Sequence, residues 1–306
     1  MNGPFRLLTA HLEGETAALS AALLWAVATV IYGRVGKQIR PLELNLAKNI
    51  LAIVMLLLTL MPRAETLFAI EPFALGLLLL SGAVGIGLGD TAYFESLRWL
   101  GARRVLLLSV LAPPLAGLIA LIFLGENLSM TAWSGIVVTV LGIAWVICER
   151  VPTGAEGSTH LFRGVSFGVV AALTQATGVV LSRAALTQTG VSPLLSALVR
   201  LVGGVVILII WIPLTRQPLG RWVRLGESRR LLGAIVFATF IGTYLAIWLQ
   251  QVSLTSTDAG IAQTLFSTSP LFVLPIVARM GEVISLRAVA GAIVALAGIA
   301  LLLGLT

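Results

Sequence analysis

Apolar stretches of eighteen or more residues, nearly free of charge, recur along the whole of this 306-residue chain. A helix of that length crosses a hydrocarbon core of about 30 Å, so each stretch is a candidate membrane span. The runs are continuous rather than alternating, which excludes a lipid-embedded β-barrel. Ten spans are predicted: 16–33, 42–61, 73–97, 105–124, 131–148, 164–183, 193–213, 231–250, 258–279 and 286–305. The fold class that follows is an all-α integral membrane protein, multi-pass and embedded in a lipid bilayer, expected to be the cell (plasma or inner) membrane. Only 11% of residues are charged, against about 25% in an ordinary soluble domain.

The net charge is +7. Because Lys and Arg cluster between the apolar runs, they read as headgroup contacts and topology determinants, and nucleic acid is not an expected partner. The single cysteine, Cys148, closes an apolar run, and both histidines, His11 and His160, lie in polar segments. No disulfide framework, metal site or cofactor is expected. Residues 1–15 carry Arg6, Glu13 and Glu15 without a separate apolar core, so no cleavable signal peptide is predicted.

A polar linker, 149–163, divides the chain into 1–148 and 164–306, and the two parts resemble each other. At a separation of 156, Pro114 matches Pro270, Gly125-Glu126 matches Gly281-Glu282, Gly135 matches Gly291, and Gly142 matches Gly298. At 152, Pro41 matches Pro193 and Lys48 matches Arg200. This is an internal duplication of five helices per copy. Five is odd, so the second copy enters the membrane from the opposite side. With ten spans, fifteen of the twenty basic residues fall on one face, from Arg34, Lys37 and Arg40 to Arg279 and Arg287. The positive-inside rule puts that face in the cytoplasm and both termini outside. The predicted architecture is ten transmembrane helices in two inverted five-helix repeats. Such repeats are the mark of alternating-access carriers, whose site lies near the midplane between the copies.

Three strings carry a resemblance to a known family: "LLWAVATVIYGRV", "GDTAYFESLRWLGARRVLLLSVLAPPLAGLIALIFLGE" and "LAIWLQQVSLTSTDAGIAQTLFSTSPLFVLPIVARMGE". With the twice-repeated Pro and "GE", the chain resembles the EamA-like ten-helix permeases of the drug/metabolite transporter superfamily from about residue 16 to 305. The resemblance implies a secondary carrier, often an exporter of amino acids, metabolites or drugs, with a central cavity between the halves. It also implies cytoplasmic termini, the reverse of what the charge count gives.

Candidate site residues are the polar groups that a lipid-facing helix would not carry. Asp90 sits about 7 Å off the middle of its span, where an ionised group costs roughly 2.5–3.5 kcal/mol unless it faces a cavity or partner. It is read as a cavity carboxylate for a substrate amine or a proton, with Tyr93 beside it, or as a packing acid bonded to a neighbouring helix. Its match in the other half is Ala246. Glu95 is read as an interfacial ion pair with Arg98. Lys48, with Asn45 and Asn49, and Arg200 either line the cavity and hold an anionic group or snorkel toward headgroups. Stripes at helical spacing add Trp25, Thr29 and Tyr32; Thr174, Gln175 and Gly178; Tyr244, Trp248 and Gln251; and Gln263, Ser267 and Pro270. Inter-helix hydrogen bonding explains any one of them, and a shared polar cavity explains the set. Pro114 and Pro270 bend the fourth helix of each half, as a gating hinge or a static kink. Ser81, Gly85 and Gly89 form a small-residue ridge for close helix packing, while Glu126 and Glu282 suit the positive end of the following helix.

The function expected is a secondary transporter, an exporter by analogy, of a small polar metabolite or amino acid. Its partners are the small-molecule substrate, with protons as a candidate driving ion, and the bilayer; the chain itself is expected as a monomer or weak dimer. A scaffold or sensor without transport is the alternative. An intramembrane enzyme would need a nucleophile–base pair or metal site near a cavity, which the spans do not offer.

Overall fold

Proline at the first position of a helix removes an N–H that would have no partner there, and three helices after the first begin so. These are α2 (Pro41–Leu60), α3 (Pro72–Ser81) and α8 (Pro193–Thr215). The computed structural model describes residues 4–36, 38–63, 70–147, 158–215, 229–279 and 286–302, and no strand occurs among them.

In the first repeat, α1 (Pro4–Val35) and α2 precede α3, which runs through a π-helical stretch, Gly82–Gly89, into α4 (Asp90–Ser109). Then follow α5 (Ala112–Leu124) and α6 (Met130–Ile147). In the second repeat, α7 (Ser158–Gln188) and α8 are followed by α9 (Arg229–Thr239), a π-helical stretch Phe240–Leu245, and α10 (Ala246–Ser256). The repeat closes with α11 (Ala259–Phe266), α12 (Ser269–Arg279) and α13 (Leu286–Leu302). Local chemistry sets several ends. Ser129 Oγ accepts from Ala132 N at 3.0 Å and caps α6. Gly125 ends α5 in the left-handed region at φ 66°, which glycine adopts without a Cβ clash.

The ten-span architecture is present, with differences in length. α1 and α7 extend well beyond the predicted spans 16–33 and 164–183, so residues 158–163 of the linker are helical; the remainder of it, with Cys148, Gly281 and Glu282, lies outside the described residues. The fourth span of each repeat is two half-helices. α5 has 13 residues and reaches about 20 Å, too short to cross alone. A methyl added at Gly168 of α7 would meet both Ser96 and Leu108. Those two residues would lie about 18 Å apart in a straight helix, so α4 folds back between them and its last residues begin the fourth span. The break in this span comes at Val110-Leu111, and in the other repeat at Ser267-Thr268. Pro113, Pro114 and Pro270 thus lie in the first turns of α5 and α12, where proline starts a helix rather than kinking one.

Glycine decides how the repeats meet. A Cβ at Gly142 of α6 would strike the backbone of Ala295 and Gly291, one at Gly135 that of Leu302 and Gly298, and one at Gly298 that of Thr139. The matched glycines are therefore the seam between the fifth helices, α6 and α13. The ridge Ser81, Gly85, Gly89 packs on α7: Gly85 abuts Gly178, Gly89 abuts Thr174, and Ser81 Oγ donates to Gly178 O at 2.6 Å. Outside, Leu58, Ile122, Phe123 and Leu296 are exposed, the surface expected of a protein solvated by acyl chains.

Candidate functional site

Both π-helical stretches stand at the same place in their repeats, immediately before Asp90 and Ala246, which are 156 apart. Where such a stretch reverts to α-helix, the change of hydrogen-bond step skips a carbonyl, and π segments recur at functional sites. In the first repeat Asn45 answers that need. Its Nδ2 donates to Ile86 O at 2.9 Å, Gly87 O at 3.2 Å and Thr91 Oγ1 at 3.0 Å. Asn49 Nδ2 donates to Asn45 Oδ1 at 3.0 Å, and Lys48 Nζ donates to Asn49 Oδ1 at 2.9 Å and to Asp90 Oδ2 at 2.7 Å. One chain of hydrogen bonds thus ties α2 to the π stretch and ends on the carboxylate of Asp90. Lys48 is fully buried, while the Asp90 side chain keeps 15% exposure.

That exposed edge of Asp90 faces a cavity with an empty volume of about 910 Å³, counting the part that opens outward. The first repeat contributes Trp25, Ile86, Gly89, Asp90, Tyr93, Val105, Ser109 and Ala112. The second contributes Gly168, Gln175, Arg200, Gly242, Gln250, Gln263, Phe266 and Pro270, among others. Both broken fourth spans therefore reach it at their breaks. Trp25 makes one aromatic wall, with ring centroids 6.2 Å from Tyr93 and 6.3 Å from Phe266.

The charged groups differ between the repeats. Arg200 is 1% exposed. Its Nη1 donates to Gln250 Oε1 at 3.2 Å, and its Nε has no hydrogen-bond partner among the described residues. The donor Gln250 Nε2 and the acceptor Gln263 Oε1 are likewise buried without partners. Toward the face opposite the Arg-rich one, Arg183 of α7 joins the two repeats. Its Nε donates to Glu126 Oε1 at 2.7 Å, its Nη1 to Leu254 O at 2.8 Å and its Nη2 to Asp258 Oδ1 at 3.3 Å. Glu126 Oε2 accepts from Ala259 N at 3.0 Å, so this acid meets the positive end of α11 rather than that of α6.

Of the candidates named from sequence, Trp25, Asp90, Tyr93, Gln175, Arg200, Gln263 and Pro270 line the cavity. Thr29 is buried behind them, with its hydroxyl facing that of Tyr93. Asn45 and Lys48 stand behind Asp90. Tyr244 and Trp248 pack instead in an apolar cluster with α2 and α8, where Tyr244 Oη lies 2.9 Å from Thr59 Oγ1. Gln251 accepts from Ser196 Oγ at 2.7 Å, a link between α8 and α10. Pro114 is partly buried in the first turn of α5. No ion pair joins Glu95 to Arg98, and Arg98 lies 5.9 Å over the Trp99 ring instead. Gln250 and Ser269, which the sequence reading passed over, belong to the lining. No group of three or more His, Cys, Asp or Glu able to hold a metal occurs among the described residues.

Residues 12–148 and 162–304 each match the model of the EamA-like transporter family. Among 29 matching chains of solved structures, one crystal structure of a protein is 16% identical, covers 95% of this chain and 96% of its own, and superposes with a TM-score of 0.75. At that identity the likeness speaks for the fold. No curated protein sequence matches the chain significantly.

Proposed function

The chain belongs to the EamA-like transporter family, and from that premise we propose that it is a secondary carrier of a small polar metabolite, working by alternating access between its two repeats and exporting its substrate. The observation that carries the reading is a cavity walled by both repeats, into which Asp90 comes from one and Arg200 from the other. Each fourth span breaks at that cavity, which is where the irregular backbone of carriers is tolerated, because there it lines a pocket instead of facing lipid. Rocking one repeat against the other would expose the same lining to alternate sides. Substrate-binding roles go to Trp25, Asp90, Tyr93, Gln175, Arg200, Gln250 and Gln263, with Asn45 and Lys48 holding Asp90 in place. The breaks before Pro114 and Pro270 are the proposed hinges. The carrier is driven by the substrate gradient or by protons, in the plasma or inner membrane.

Purified protein in liposomes tests this directly. Counterflow of a labelled solute from a broad metabolite panel, abolished by a Cys crosslink between the repeats, is the expected result. A folded protein that moves no solute of any charge class would be a scaffold or sensor.

A further inference from the structure

The duplication that produced the two repeats left their cations unequal. Lys48 and Arg200 occupy matching positions on α2 and α8, and both are buried. Lys48 has its counter-ion, Asp90, at 2.7 Å. The residue that matches Asp90 is Ala246, 1% exposed, so the position that carries the counter-ion in the first repeat carries only a methyl group in the second. One turn further along α10, Gln250 supplies a neutral oxygen instead. Asp90 borders the same cavity as Arg200, but its direct partner is Lys48. Lys48, Asp90 and Arg200 together leave the site with one uncompensated positive charge. The span breaks do not alter this sum, since each brings a negative and a positive helix end to the cavity together.

A guanidinium buried in a membrane protein without a carboxylate is a strongly unfavourable arrangement unless something else supplies the negative charge. We infer that the substrate supplies it: the carrier's site takes a monoanionic organic carboxylate, whose head group lies against Arg200 and Gln250 and whose apolar body lies against Trp25, Tyr93 and Phe266, all of them lining the cavity. Arg is suited to this by its fork of donors, which engages both oxygens of a carboxylate; the idle Nε is one of them. Gln250 Nε2 is an adjacent donor without a partner among the described residues. An α-amino acid is disfavoured on the same grounds. Its ammonium would need a free carboxylate, and Asp90 is already committed to Lys48. This inference rests on the carrier reading above and specifies its substrate class.

The test is counterflow and thermal stabilisation by matched ligands that share a body and differ in charge: hydrocinnamate, phenylalanine and phenethylamine, then isocaproate, leucine and isoamylamine. The expected result is that a carboxylate stabilises the protein and is moved, while its amine and amino-acid partners are not. Arg200→Gln should weaken that binding by about tenfold or more, the loss expected for a charged hydrogen bond, and Arg200→Lys by less. Ala246→Asp returns the missing carboxylate to the protein itself and should abolish carboxylate binding without lowering the melting temperature. It keeps the inference testable if Arg200→Gln fails to fold. Movement of an amine or amino acid and not of carboxylates would overturn the inference and leave the carrier standing. Carboxylate binding that survives both substitutions would overturn the role of Arg200. A protein that moves no member of any charge class would fail the carrier reading, and this one with it.

Discussion

Lys48 Nζ and Asp90 Oδ2 meet at 2.7 Å across α2 and α4, and the pair both fixes a helix junction and borders the cavity. Removing one partner of a buried ion pair strands the other charge at a cost of about 3–5 kcal/mol, whereas replacing both can be nearly neutral. Asp90→Asn and Lys48→Met should each lower the melting temperature strongly in detergent, and the double variant should recover most of the loss. Equal, additive losses would show that the pair is not coupled. Loss of transport in Asp90→Asn alone therefore says little about substrate contact; the double variant is the informative one.

Asn45 holds the carbonyls at the end of the Gly82–Gly89 stretch. Asn45→Leu keeps the size and removes the donors, leaving buried carbonyls unpaired at about 1–3 kcal/mol. The expected outcome is faster amide exchange around residues 86–91 and a lower melting temperature. Asn49→Leu, which removes a link further from those carbonyls, should have the smaller effect.

The seam between α6 and α13 admits no side chain. Gly142→Leu and Gly298→Leu should each destabilise by about 1–3 kcal/mol or more, as overpacking does. Gly76→Ala, where an added methyl meets nothing within 4 Å, should leave the melting curve unchanged.

The Arg183 network ties Glu126, on the first repeat, to Asp258 on the second. Arg183→Leu should favour opening on that face. In a Cys148→Ser background, the rate at which an impermeant thiol reagent modifies Ser267→Cys from that side would rise. An unchanged rate would mean that the network holds the fold and does not gate the cavity.

The positive-inside rule predicts a cytoplasmic Arg-rich face. On that prediction, in a Cys148→Ser background, a cysteine introduced at Thr153 should react with an impermeant maleimide in inside-out vesicles and stay protected in right-side-out ones. The opposite pattern would put the termini in the cytoplasm.

The spans, the duplication and its key residues were legible because each rests on a one-dimensional signal: run length, or identity at a fixed separation. The matched glycines and prolines even marked the inter-repeat seam and the helix breaks, although the breaks come two to four residues before Pro114 and Pro270. Partners across helices were not legible. Nothing in the order of residues joins Lys48 to Asp90, 42 positions on. A stripe at helical spacing tells that one face of a helix is polar, but not which neighbour that face meets. That is why Tyr244, Trp248 and Gln251 proved to pack against α2 and α8, while Gln250, about 100° around the same helix, borders the cavity.

The glycine seam has a consequence for descent. Gly142 meets Gly291 while Gly135 meets Gly298; exchanging each residue for its match turns one contact into the other. A surface of that kind is self-complementary, as in a twofold dimer. A half-length ancestor inserted into the membrane both ways round would have found its partner in another copy of itself. Fusion made that partnership permanent and released each copy from having to fit its twin, which is how one half could keep an acid at position 90 and the other hold an alanine at 246.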